Sequence, residues 1–87
     1  MLTSEQIRAA RALLRWDQKQ LAAAAGISVE TVKRLEKTPG RVSAYTGTVD
    51  AITKALEGAG VAFTNDDEPG VRLRQKGSQS ARSMLLE

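Results

Sequence analysis

The chain has no cysteine and no histidine among its 87 residues. Without cysteine, neither a disulfide nor a thiolate metal site holds the fold together. Without histidine, the commonest general base, the commonest metal ligand and the familiar nucleophilic triads are all missing. The acidic residues are scattered, with no facing carboxylate pair, so the sequence predicts no enzyme, no metal and no cofactor. Aromatics are scarce: Trp16, Tyr45 and Phe63 are the only three, which leaves single-strand binding by base stacking without support. No apolar run approaches the ~20 residues that span a bilayer, and the N-terminus lacks a signal-peptide pattern. The expectation is a cytoplasmic protein with no membrane partner.

What is present is basic charge in one half. Residues 1–41 hold eight basic side chains against four acidic ones, while residues 42–87 hold five against six. A positive field gathered on one half favours a polyanionic partner, although a solvated basic face is the plainer reading. At this length the chain is one domain at most, near the small end of what folds without staples.

Helix signals punctuate the first sixty residues. Thr3 followed by Gln6 forms the capping-box pattern, and Ile7, Ala10, Leu13 and Leu14 continue it as an apolar stripe to about residue 15. Asp17 and Gln20 repeat the box ahead of Leu21, Ala22 and Ala25. Gly26 then stops a run of four alanines, Ile27 turns inward, and Ser28 is a good N-cap for a third helix with Val32 and Leu35 on its buried edge. Pro39-Gly40 closes that helix. A fourth begins between Ser43 and Thr48, with Val49, Ile52, Ala55, Leu56 and Ala59 as its apolar side. The period then changes to alternation. Val61 and Phe63, then Val71 and Leu73, suggest a hairpin of two short strands around a polar turn.

Two short helices joined at Gly26 make a helix-turn-helix. The corner holds out the start of the third helix, which the major groove of DNA is wide enough to admit. A plain helical hairpin in a small bundle is the competing reading. Periodicity puts Val29, Glu30, Lys33 and Arg34 opposite or beside the edge formed by Val32 and Leu35.

The pattern carried by Gln18, Leu21, Ala22, Gly26, Ile27, Val32, Leu35 and Glu36 resembles the signature of the phage-repressor helix-turn-helix domains, the Cro and XRE-type regulators. The likeness runs from about Thr3 to Ala59. It implies an all-α, lambda-repressor-like bundle of four to five short helices, here with a small C-terminal β-hairpin. The domain layout expected is a DNA-binding domain over residues 1–60, short strands over 61–75 for dimerisation, and a polar tail over 76–87. The resemblance implies a dimeric regulator, a repressor or autoregulator, that reads inverted-repeat double-stranded DNA.

The roles it implies fall on named positions. Val29, Glu30, Lys33 and Arg34 are the base readers, with Arg34 the best match to guanine. Gln18, Ser28, Lys37 and Arg41 contact phosphate; Thr31, Thr38 and Thr46 are minor candidates. Arg11 and Glu36 form an ion pair that orients the third helix without touching bases, and Trp16 plugs the core. Apart from the resemblance, the alternating apolar face of Val61, Phe63, Val71 and Leu73 must cover either the back of the fourth helix or the same strands of a second subunit, and the second subunit, a homodimer interface, is the expected one. The alternative is an antitoxin or anti-activator module that binds a protein partner through its C-terminal part.

Overall fold

The computed structural model of the chain describes residues 2–42, 46–64 and 69–74. The expected tail over 76–87 and the centre of the polar turn lie outside the described residues. Helix α1 spans Ser4–Leu14. Both halves of its capping box form: Gln6 N–H donates to Thr3 Oγ1 at 3.1 Å, and Thr3 N–H donates to Gln6 Oε1 at 3.0 Å. The helix ends without a glycine. Arg15 takes the left-handed conformation at φ 58°, and Trp16 N–H returns to the Arg11 carbonyl at 2.9 Å. An L-residue with a Cβ pays roughly 1–2 kcal/mol for that conformation.

Helix α2 covers Gln18–Ala25 behind the Asp17 cap, whose carboxylate accepts from Gln20 N–H at 2.8 Å. Gly26, at φ 71°, turns the chain, and Ile27 N–H closes the corner on the Ala22 carbonyl at 3.0 Å. Helix α3, Val29–Lys37, starts at Ser28, whose hydroxyl accepts from Thr31 N–H at 3.1 Å. Helix α4 runs Thr46–Gly58, so among the described residues there are four helices. Gly60, at φ 111°, then leads into a two-stranded antiparallel sheet, β1 Val61–Thr64 and β2 Gly70–Leu73.

One core joins all of these. Ile7 and Ala10 of α1, Leu21 and Ala22 of α2, and Val32 and Leu35 of α3 are buried together with Ile52 and Leu56 of α4. Fully burying one of these valine, leucine or isoleucine side chains contributes about 1.5–3 kcal/mol. Ala22 is small where α2 lies against both α3 and α4.

The hairpin packs within its own chain. Its register pairs Val61 with Leu73 and Phe63 with Val71, which places all four side chains on one face. That face is turned toward α1 and α4 of the same chain. Val61 is wholly buried in the core, and Phe63 and Val71 pack against it, so Val61 leaves no surface for a second subunit. The reason is reach: two residues separate α4 from β1, and a strand that short stays on the helix it follows. Of the four, only Leu73 remains exposed, at 37 %.

Polar bonds finish the frame. Gln6 is buried, and its Nε2 donates to the carbonyls of Thr64 and Gly70, each at 3.1 Å, fastening the outer ends of both strands to α1. On the other side of α1, Ser4 N–H donates to the Gly40 carbonyl at 2.8 Å and Val42 N–H to that of Leu2 at 3.1 Å. Thr3 and Arg41 thereby form an antiparallel bridge. The Glu5 carboxylate accepts from Gly40 N–H at 3.1 Å. Its own backbone N–H and that of Gly40 hold this carboxyl below its ordinary value.

Three substitutions test this frame. Gly26→Ala is expected to cost about 1 kcal/mol in urea denaturation, because a Cβ there meets nothing within 4 Å and only the backbone conformation is penalised. Arg15→Gly is expected to gain about 0.5–1 kcal/mol for the same reason in reverse. For Glu5, the lowered folded pKa means its contribution is present above the unfolded carboxylate value and disappears as pH falls through the folded one. Wild type should therefore melt above Glu5→Gln at neutral pH, and the two melting temperatures should converge on acidification.

Candidate nucleic-acid interface

The surface built around α3 starts from its two faces. Val32, Leu35 and Glu36 are buried, whereas Glu30, Lys33, Arg34 and Lys37 are exposed and Val29 and Thr31 are half-buried. The exposed side therefore carries three cations and one carboxylate. Glu30 sits in the first turn and Arg34 and Lys37 in the last, the arrangement that the helix dipole favours. Arg41 follows on the bridged segment, also exposed. Lys33, Arg34, Lys37 and Arg41 thus lie on one helix and the segment leaving it.

What fixes that helix is the side chain at its buried end. Glu36 is only 4 % exposed, and its carboxylate takes two donors from Arg11: Nε to Oε2 and Nη2 to Oε1, each at 2.7 Å. Gln18 Nε2 adds a third bond to Oε1 at 3.0 Å. Arg8 Nη1 donates to the Glu36 backbone carbonyl at 2.6 Å, and Arg11 Nη1 reaches the Trp16 carbonyl at 3.0 Å. The hydrogen bonds to Glu36 raise the Arg11 pKa further above its already high value, against the opposing effect of burial. One carboxylate therefore ties α1, the start of α2 and the end of α3 into a single piece.

This arrangement assigns places to the residues singled out in the sequence. Glu30, Lys33 and Arg34 share the outer side of α3, Val29 is half-buried and packs against the core, and Lys37 and Arg41 flank the end of the helix. Gln18 is directed inward at Glu36 with one amide N–H. The Ser28 hydroxyl is engaged in capping and in a 2.9 Å contact with the Thr31 hydroxyl. Thr38 is the exposed C-cap of α3 and Thr46 the exposed first residue of α4. Trp16 is half-buried against the core. Sequence reasoning missed Arg8 as a partner of the α3 carboxyl end; its spacing of three from Arg11 puts both on one side of α1, and that was the available signal.

Among the described residues there is no cluster of carboxylates suited to a metal ion, and no helix is long and apolar enough to cross a membrane. Comparison with known families matches residues 7–46 to the helix-turn-helix family model. The matched span contains most of α1, all of α2 and α3, and the segment after them; the hairpin lies beyond it. No curated protein matches the chain.

The Glu36 junction has a testable energetic signature. Arg11→Met leaves a buried carboxylate without its cation and is expected to cost about 2–4 kcal/mol, reduced from the fully buried case because the arginine side chain is 19 % exposed. Adding Glu36→Leu removes the stranded charge and should restore most of that stability, as measured by urea denaturation. A double variant no more stable than Arg11→Met would show that the pair acts by something other than mutual compensation.

Proposed function

We propose, from the premise that residues 7–46 are a helix-turn-helix domain of the XRE/Cro-like DNA-binding regulator family, that the protein is a sequence-specific repressor or autoregulator reading an inverted-repeat operator. The observation that carries this reading is the exposed side of α3. It offers side chains that can address base edges, held on a helix whose opposite side is locked through Glu36. Arg34 reads guanine through O6 and N7, Glu30 accepts from cytosine N4, and Val29 meets a thymine methyl. Lys33 lies on the same side. Lys37 and Arg41 meet phosphates, and Gln18 and Ser28 stand at the starts of α2 and α3, where the backbone N–H groups of a helix N-terminus favour anions even with the Gln18 amide on Glu36 and the Ser28 hydroxyl in its cap.

One short recognition helix reads too few base pairs to select a site in a genome, so the operator is addressed by two copies with α3 helices about 34 Å apart. With Val61 inside the core, self-association uses the surface that remains, on which Leu73 of β2 and Leu13 of α1 are the exposed large hydrophobics among the described residues. A second reading, capture of a protein partner, is favoured by a cleft of about 350 Å³ between α1 and β2, lined by Ala9, Pro69 and Val71. Selection of bound sequences from a random duplex pool, read out with stoichiometry, separates the two. Recovery of an inverted repeat bound by two chains supports the operator reading, and no enrichment removes it.

Binding should also be strongly salt-dependent. With about three to five phosphate contacts per subunit, the log–log salt slope of a dimer is expected at roughly −5 to −9. Arg34→Ala should cost about 1–3 kcal/mol on the operator and relax preference at one base pair. Lys37→Ala should weaken all sequences alike and flatten the slope. Equal losses for both variants on operator and random DNA would remove the base-reading role from Arg34.

A further inference from the structure

A cleft of about 200 Å³ opens beside the end of α3, lined by Arg34, Leu35, Thr38, Arg41 and Val42. Its two guanidinium groups differ from those of Arg8 and Arg11, which are committed to Glu36. Among the described residues neither Arg34 nor Arg41 has a carboxylate partner, and the one ion pair is Arg11–Glu36. The nearby Glu5 carboxylate is directed at Gly40 N–H instead. Thr38 adds an exposed hydroxyl, and Leu35 and Val42 give an apolar floor, where a charge-assisted hydrogen bond is less screened than in open water. The backbone carrying Arg41 is fixed by its bridge to Thr3 and by Val42 N–H on Leu2, so one side of the cleft is preformed.

Two arginines and a threonine lining one small recess suit a tetrahedral, doubly charged oxyanion better than a single carboxylate. The volume is below the ~300–1,000 Å³ typical of drug-sized ligand sites. The occupant is therefore a phosphate group with at most a small substituent. The carboxyl end of α3 opposes an anion with a partial negative charge, but the Glu36 carbonyl there is already bonded to Arg8.

We propose that this cleft is a seat for one phosphate group, which Arg41 offers to the DNA backbone and both arginines offer to a free small phosphorylated ligand, so that such a ligand weakens DNA binding by occupying Arg41 and drawing Arg34 away from its base. The inference rests on the DNA-binding reading only for its consequence; occupancy itself can be measured without DNA. Inorganic phosphate and phenyl phosphate, titrated into the full chain against chloride at matched ionic strength, should shift the amide resonances of Thr38, Arg41 and Val42 along saturable curves. Arg41→Gln should weaken that saturation roughly tenfold, the loss of one charge-assisted contact. In the presence of operator DNA, either phosphate should lower affinity several-fold more than matched chloride. Neutral methylphosphonate at one backbone position should reproduce the loss in wild type but not in Arg41→Gln.

Linear shifts spread over the whole basic surface would mean an ion atmosphere only and overturn the seat. Saturable binding with no excess competition and no methylphosphonate-sensitive position would overturn its sharing with DNA. A chain that saturates with phosphate but binds no duplex keeps the seat and removes the DNA reading, so the two failures are distinguishable.

Discussion

The structure hangs on one buried carboxylate. Glu36 sits at the end of the helix that faces outward, yet its side chain points into the protein and gathers donors from two other helices. A charge in that position is costly to bury unless its lone pairs are filled, and here they are filled by a bidentate arginine and an amide. Its geometry also does what apolar packing does poorly. Val32 and Leu35 set how close α3 lies to the core, but greasy contacts tolerate rotation about the helix axis. A forked hydrogen-bond pair does not. The angular placement of Lys33 and Arg34 follows from a bond made on the opposite face.

That division explains why the sum of charges says little about this surface. The basic half contains two arginines that are internal fasteners and several cations that remain free. Arg8 and Arg11 sit one helical turn apart on α1 and close on the far end of α3, while Lys33, Arg34, Lys37 and Arg41 keep their field for whatever lies outside. Composition counts all of them equally. Only the fold separates those that neutralise the protein from those that can neutralise a partner.

What could be read from the sequence was what short-range chemistry decides. Both capping boxes, the Gly26 corner and the Ser28 cap involve residues within about one turn of each other, so their spacing carries the information. The helical apolar stripes were legible for the same reason. The end of α1 was placed about rightly, but its mechanism was hidden, because nothing in the local sequence marks Arg15 for a conformation that glycine usually takes. The hairpin was visible as alternation, whereas its destination was not. An apolar strand face has to be covered, and the pattern is identical whether the cover is a second chain or α1 and α4. The pairing of residues 2–4 with 40–42 was equally invisible, since Gly40 and Arg41 read as a plain turn.

The clasp made by Gln6 changes what its position can tolerate. As a capping residue it belongs to a slot where glutamine and glutamate serve equally well, since either can accept from the cap backbone. At Gln20, in the second box, that equivalence is expected to hold, because the side chain is exposed and accepts from the Asp17 N–H of the cap. At Gln6 the amide nitrogen faces two strand carbonyls in a buried setting. Glutamate would keep the acceptor and replace the donor by a second oxygen, setting a negative charge against two carbonyl dipoles. The same exchange is thus neutral in one helix and costly in the other, and a spontaneous loss of ammonia from this one side chain would set a charge against both strand carbonyls without touching a single apolar contact.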